Sequence, residues 1–269
     1  MPRWLKTSLH LVPIVIGVAA ASVIGLLAFR SVVSPDQLQA SSDAVGNYLQ
    51  TVGGIYAVLL AFVVYVVWGQ FNDARACVER EASSVVDLHR TASGLPPATR
   101  SEIQRHLRAY IDAVLADEWP AMAEGNEATI ERVGAKLDDV WVEIHRCEPS
   151  NDCQHVVYAE VLSRFNELSD LRTNRLTASR ARIPLAMRIL LNTGAVITIA
   201  SMYLMSVPQL WIHVTVTAAL AGAIAHVLFL IHDLDDAFAG DWQVAKAPFL
   251  RARRSLERVT YQVDVDPAA

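Results

Sequence analysis

The chain has 269 residues, of which 53% are hydrophobic and 19% charged, and its formal net charge is −5. This apolar content excludes an intrinsically disordered chain. The acidic balance, with no basic stripe interleaved with aromatic residues, argues against a nucleic-acid-binding protein.

Four runs of the sequence contain no Asp, Glu, Lys or Arg: Leu9–Phe29, Ala44–Asn72, Ile189–Val207 and Leu210–His232. About 20 mostly apolar residues suffice for a helix to cross a bilayer. The sequence therefore predicts membrane-spanning helices at about 9–29, 48–70, 187–207 and 211–232. A secretory signal peptide is the alternative for the first run. Its apolar stretch exceeds the usual core of about 7–15 residues, which favours a retained helix.

The second run continues into charged sequence without a break. Between Tyr48 and Leu88 there is no Pro, and there is no Gly after Gly69. The pattern predicts one helix that leaves the membrane and continues as a polar helix. A pore wall, a sensor stalk or an oligomerisation spine fits this layout better than a simple anchor.

The central segment has helical periodicity throughout and no alternation typical of β-strands. Breaks are expected at Gly94–Pro97, near Gly125 and in the Cys147–Cys153 loop. The stretch Ala98–Leu171 is rich in acidic residues. They form either a solvated helical surface or a vestibule that concentrates cations.

Lys and Arg near the ends of the spans predict the orientation. They cluster before the first run, after the second, before the third and after the fourth, and only Arg30 lies between the first two. Both termini and the central segment are therefore expected in the cytoplasm. The expected domains are a membrane hairpin (1–72), a cytoplasmic helical domain (73–183), a second hairpin (184–234) and a cytoplasmic tail (235–269).

Two polar motifs could bind metal. His145, Cys147, Cys153 and His155 form an H-x-C-x5-C-x-H pattern, and four such ligands can complete a tetrahedral zinc site. A disulfide and two incidental thiols are the alternatives. Asp233, Asp235, Asp236 and Asp241 follow the fourth run and either hold Ca²⁺ or form a solvated helix end. No catalytic or nucleotide-binding motif occurs, so neither an enzyme nor a cofactor is predicted.

Several stretches resemble the bestrophin-like family of bacterial proteins, and more distantly the bestrophin ion channels. They are LLAFVVYVVWGQFNDARACVERE, Tyr110…Glu118-Trp119-Pro120, the Phe165–Asp170 stretch with Arg172 and Arg175, and the Asp235–Gly240 stretch. The positions that match the family are Trp68, Phe71, Asp73, Arg75, Glu81, Trp119, Asn166, Glu167, Asp170, Arg172, Arg175, Asp235, Phe238 and Gly240.

The resemblance implies an all-α membrane protein with four transmembrane helices. A cytoplasmic helical bundle is then inserted between helices 2 and 3. It also implies a homo-oligomer, pentameric in bestrophins, whose second helices form an apolar neck. Carried onto this chain, the neck face is Gly54, Val58 and Phe62. Lipid contact or helix packing is the alternative use of that face, because every apolar helix has an i, i+4, i+8 face.

The functional expectation is an oligomeric ion channel of the bacterial inner membrane. Its partners are the lipid bilayer, inorganic ions and copies of itself, with no nucleic acid. The alternative is a membrane-anchored sensor or interaction module without transport activity.

Overall fold

The structure, a computed structural model, describes the main chain of residues 3–265 and the side chains of residues 10–258. This part of the chain contains ten α-helices and no β-strand. They are α1 (Arg3–Val32), α2 (Pro35–Leu38), α3 (Ser42–Thr91), α4 (Pro97–Ala113), α5 (Trp119–Glu124), α6 (Glu127–His145), α7 (Asp152–Arg180), α8 (Leu185–Tyr203), α9 (Leu210–Leu234) and α10 (Ala247–Val265). A π-helical turn, Val114–Glu118, joins α4 to α5.

Four helical segments are long and apolar enough to cross a membrane, and they include α1, α3, α8 and α9. The prediction of an all-α chain with four candidate spans is confirmed. Helix α8, the third candidate span, ends at Tyr203, whereas the sequence predicted its end near Val207. The residues that follow Tyr203 form a turn, in which the Val207 amide donates to Met205 O at 3.0 Å. Arg30 donates a hydrogen bond to Val207 O, also at 3.0 Å.

Helix α3 runs for 50 residues from Ser42 to Thr91 without interruption, as the sequence predicts. It contains no Pro, so no backbone hydrogen bond is lost within it. Pro96 and Pro97 follow its end and begin α4. The other predicted breaks also hold. Gly125 ends α5 with φ of +69°, a left-handed conformation that favours glycine.

Backbone contacts divide the chain into two compact units. The membrane unit comprises the chain up to Gly69, Arg182–Asp235 and Gly240–Trp242. The bundle unit comprises Gln70–Ala181, Asp236–Ala239 and the chain from Gln243.

In the membrane unit, small and polar side chains bring the helices together, as is common between spans. The Tyr203 hydroxyl of α8 donates to Ser22 O of α1 at 2.9 Å. The Tyr56 hydroxyl of α3 donates to Leu191 O of α8, also at 2.9 Å. A Cβ at Gly194 would lie 2.5 Å from the Tyr56 ring, so the glycine permits this approach.

In the bundle unit, one apolar core is formed by the polar half of α3 and by α4, α6, α7 and α10. Helix α3 contributes a stripe at helical spacing: Ala74, Val78, Ala82, Val85 and Leu88. The predicted tail contains α10, and its Phe249, Ala252 and Leu256 are buried in this core. Residues 266–269 lie outside the described part.

Candidate functional site

Helix α3 presents opposite faces to different surroundings within the membrane unit. Tyr56, Leu60, Val63 and Val67 are buried against the subunit. On the other side, Val58 is 71% exposed, Phe62 58% and Tyr65 76%. Large apolar side chains thus form a face of α3 that no other part of this chain covers. Such a face contacts lipid, packs against another subunit or lines a pore.

The three predicted neck residues do not lie on identical surfaces. Val58 and Phe62 belong to the uncovered face. Gly54 is also exposed, but it lines an apolar groove of about 440 Å³ between α3, α8 and α9. On α3 the small residues Gly53, Gly54 and Ala57 line part of the groove.

Three family-matching residues, Glu81, Arg172 and Arg175, meet inside the bundle unit in an enclosed ion cluster. The cluster consists of Glu81 on α3, Tyr110 on α4, Glu118 in the π-helical turn, and Arg172 and Arg175 on α7. Glu81, Tyr110, Glu118 and Arg175 are all 0% exposed. Glu118 therefore belongs neither to a solvated acidic surface nor to a vestibule, the two alternatives that the sequence left open for the acidic stretch.

Arg175 is the centre of this ion cluster. Its Nε lies 2.5 Å from Glu81 Oε2, and its Nη2 lies 2.6 Å from Glu118 Oε2. The other Glu118 oxygen accepts from Arg172 Nη2 at 2.5 Å, and the Tyr110 hydroxyl donates to Glu81. Two carboxylates and two guanidinium groups thus balance each other in charge, as buried charges require, although Arg172 Nε has no hydrogen-bond partner among the described residues.

Burial and the neighbouring charges together determine the protonation states in the ion cluster. Burial opposes the charged form of Arg175, but the carboxylates of Glu81 and Glu118 raise its pKa well above the ordinary value. Burial, reinforced by the Glu81 charge, raises the pKa of Tyr110 well above its ordinary value. Arg175 therefore stays charged and Tyr110 neutral at physiological pH. No member except Arg172 reaches the surface, so the cluster links α3, α4, α7 and the π-helical turn from within the bundle unit.

The π-helical turn beside the cluster has a local cause. Trp119 N–H bonds to Val114 O, a wide i to i−5 step. The same step would pair Leu115 O with residue 120, but Pro120 has no N–H. Lys246 Nζ instead donates to Leu115 O at 3.0 Å. The turn therefore leaves no buried carbonyl unpaired at Leu115, and Glu118, its last residue, lies in the core.

Aromatic side chains cover the ion cluster on one side. Trp119 packs edge-on against Phe238 at 5.4 Å and against Phe249 at 6.2 Å between ring centroids. The Arg175 guanidinium lies 5.7 Å from the centre of the Phe249 ring. The family positions Trp119, Arg175 and Phe238 are therefore neighbours in space.

The remaining family positions in the central segment and along α3 face outward to different degrees. Trp68 is 45% exposed and packs edge-on against Trp242, and Phe71 packs against the bundle core. The exposed members are Asp73, Arg75, Asn166, Glu167 and Asp170. Their side chains do not join the ion cluster.

The acidic residues at the end of α9 accept hydrogen bonds from backbone amides. Asp233 accepts from the amides of Asp241 at 2.9 Å and Trp242 at 3.0 Å. Asp235 accepts from the Ile183 amide at 2.6 Å and pairs with Arg188 at 3.0 Å. Gly240 has φ of +74°, and a Cβ there would collide with Asp233. These contacts favour a helix-end role over a Ca²⁺ site.

The Cys/His loop offers less to a metal than its spacing suggests. Cys147 is buried, whereas Cys153 and His155 are exposed at the start of α7. His145 Nδ1 lies 3.0 Å from Trp141 O. Within residues 10–258, no three His, Cys, Asp or Glu side chains are grouped to hold a metal ion. The zinc hypothesis thus gains no support from the geometry.

Sequence reasoning missed Tyr110 and Glu118 as members of the ion cluster. Both residues belong to the Tyr110…Glu118-Trp119-Pro120 stretch that resembles the family. The spacing of that stretch does not show that Glu118 faces Arg175.

Comparisons with known proteins agree with this architecture. A family model described as a Bestrophin-like domain matches residues 16–249. The chain is similar to a crystal structure of a bacterial bestrophin homologue from Klebsiella pneumoniae, at 14% identity and a TM-score of 0.70, covering 93% of this chain and 98% of that one. A single-residue variant of that homologue matches at 14% identity and a TM-score of 0.67, covering 95% and 99%. At this identity the likeness shows the fold. No curated protein matches the chain.

Proposed function

We propose that this chain, which belongs to the Bestrophin-like domain family, is a subunit of a homo-oligomeric ion channel of the bacterial inner membrane. The likeness to solved bestrophin homologues supports the channel, and the pentameric state follows the resemblance to bestrophins. Copies of α3 around a central axis would form the neck.

The observation that carries this proposal is the uncovered face of α3. A helix that only anchors the chain needs an apolar face toward lipid. It does not need that face to continue without a break, on the same side of the helix, into polar and charged residues. Here the face runs from Val58, Phe62 and Tyr65 to Asn72 and Arg80, which are also exposed. An apolar constriction that opens into a polar vestibule can gate by dewetting, with selectivity set by charged rings nearby.

We propose that both termini and the bundle unit are cytoplasmic. The support is the excess of Arg and Lys next to the corresponding ends of the spans. In this orientation the α1–α3 loop and the α8–α9 turn, which Arg30 and Ser206 hold together through backbone carbonyls, lie outside.

The decisive experiment combines the subunit count with flux. The purified full-length chain is weighed by native mass spectrometry and reconstituted into liposomes, and chloride and potassium flux are measured separately. We expect an oligomer that conducts at least one of the two ions. A strict monomer, or an oligomer silent to both, would contradict the channel and favour the sensor or interaction module.

Replacing Phe62 by Ala should raise the current through the reconstituted channel. The smaller side chain widens the apolar constriction and lowers the barrier to hydration. Planar-bilayer recordings test this, and Val58→Ala should act in the same direction. Val196→Ala on α8 is the matched control, since Val196 is also largely exposed (66%) but lies on another helix. A Phe62→Ala current equal to that of the wild type would remove Phe62 from the neck.

A further inference from the structure

Two opposite charges in the bundle unit lie on opposite sides of helix α3. Asp73 and Arg75 are both exposed, and Ala74 between them is 0% exposed in the bundle core. Val78 and Glu81, one and two turns further along, are also 0% exposed, so the core side of the helix is well defined. Successive residues of an α-helix are about 100° apart. Asp73 and Arg75 therefore mark two opposite flanks of α3, the Asp73 flank and the Arg75 flank.

Neither charge has a partner among the described residues. Along a helix, side chains meet when they are three or four residues apart. None of the positions so related to Asp73 is basic: they are Gly69, Gln70, Ala76 and Cys77. Glu79 is the one acidic position so related to Arg75, and it pairs with Arg251 of α10 at 2.8 Å instead. Asp73 and Arg75 thus remain available to another chain.

A ring of identical subunits brings the two flanks together. Cyclic symmetry generates head-to-tail interfaces, in which one surface of a subunit meets a different surface of the next. When copies of α3 surround a common axis they all run in the same direction, so the Asp73 flank of one copy faces the Arg75 flank of its neighbour. The two positions differ by only two residues, or about 3 Å along the helix axis. A carboxylate and a guanidinium thus face each other at nearly the same level.

We propose that Asp73 of each subunit pairs with Arg75 of the partner subunit, so that one ion pair forms at every interface of the ring. This proposal rests on the homo-oligomer proposed above, in which copies of α3 surround the axis. The planar guanidinium can bind both oxygens of a carboxylate, which gives the contact a defined geometry. The pair would fix the level of each α3 helix relative to its neighbour, because opposite charges across an interface determine register.

Charge reversal tests the pair. The Asp73→Arg variant brings two arginines together at every interface, and Arg75→Asp brings two aspartates together. We expect either variant to raise the protein concentration at which half of the chains are assembled by at least about tenfold, since like charges across an interface repel. The double variant Asp73→Arg/Arg75→Asp restores an opposite pair at each interface and should assemble like the wild type. Native mass spectrometry of the full-length protein over a dilution series measures the subunit count.

The Asp138→Arg variant is the matched control for the change in charge. Asp138 is exposed on α6 and likewise has no partner among the described residues, so its reversal should leave assembly unchanged. The same subunit count for the wild type and both single variants at every concentration would overturn the proposal. A double variant that assembles no better than the single variants would also overturn it.

Crosslinking between two differently tagged chains tests the contact directly. In a background where Cys77, Cys147 and Cys153 are replaced by Ser, one chain carries Asp73→Cys and the other carries Arg75→Cys. After coexpression and treatment with a short bismaleimide, we expect covalent dimers that contain one chain of each kind. Either chain expressed alone is the control and should stay monomeric on a denaturing gel, because each interface then holds one thiol opposite a native side chain. Monomers alone from the coexpressed pair would contradict the contact.

Flux measured on the same preparations separates this proposal from the channel. A silent oligomer that depends on the Asp73–Arg75 pair contradicts only the channel. A conducting oligomer that is indifferent to both charge reversals contradicts only the pair. A wild-type chain that is strictly monomeric contradicts both.

Discussion

Replacing Arg175 by Met should destabilise the fold by about 3–5 kcal/mol, because removal of one partner leaves buried charges without compensation. Glu81 and Glu118 would then share the enclosed cluster with Arg172 as the one remaining cation. For a chain of this size, we expect the thermal midpoint of the detergent-purified protein to fall by roughly 10 °C. Far-ultraviolet circular dichroism during heating measures the effect.

Arg180→Met is the matched control for the Arg175 prediction. Arg180 lies on the same helix and pairs with Glu127, but these side chains are 52% and 55% exposed, so the loss should be about 0–1 kcal/mol. Combining Arg175→Met with Glu81→Gln should recover part of the stability, since Glu118 and Arg172 then remain as a balanced pair. If Arg175→Met unfolds at the same temperature as Arg180→Met, the ion cluster does not hold the bundle together.

The architecture was predictable from the sequence because its main signals are local. The length of α3 follows from an apolar run, the lack of Pro within it and Pro96 after it. Helix caps were equally local. Asn126 and Asn151 each accept a hydrogen bond from the amide three residues on, at the start of α6 and α7. Such features need no knowledge of distant residues.

The ion cluster was not predictable because its members come from distant parts of the chain. Glu81 and Arg175 are 94 residues apart, and Glu118 lies between them in sequence. Periodicity assigns each residue to a face of its own helix but does not say which faces meet. A buried Glu therefore has the same local pattern as a solvated one. The acidic residues at the end of α9 posed the same problem, since the backbone amides that donate to Asp233 and Asp235 belong to loops.

Between pH 6.5 and 4, His89 should cost the bundle unit up to about 3 kcal/mol of stability. Its side chain is 0% exposed, and within the described residues neither ring nitrogen has a hydrogen-bond partner. Burial, together with the charges of Arg108 and Arg90, lowers the pKa of His89 to about 4. In the unfolded chain the imidazole gains its proton below about pH 6.5, whereas the folded form resists protonation until about pH 4. Acid therefore favours the unfolded state, and the stabilisation is complete only above pH 6.5.

The His89→Leu variant isolates this contribution from that of the carboxylates. Leu fills a similar volume without a titrating group, so the variant should match or exceed the wild type at pH 7. Its advantage in thermal midpoint should then grow as the pH falls toward 4.5. His155→Leu is the control, because His155 is exposed at the start of α7 and should leave the wild-type pH dependence unchanged. Parallel curves for His89→Leu and the wild type would mean that His89 has the same pKa in the folded and the unfolded chain. Because His89 lies on α3, two residues before that helix ends, a bundle loosened by acid would release the C-terminal end of the helix that is proposed to form the neck.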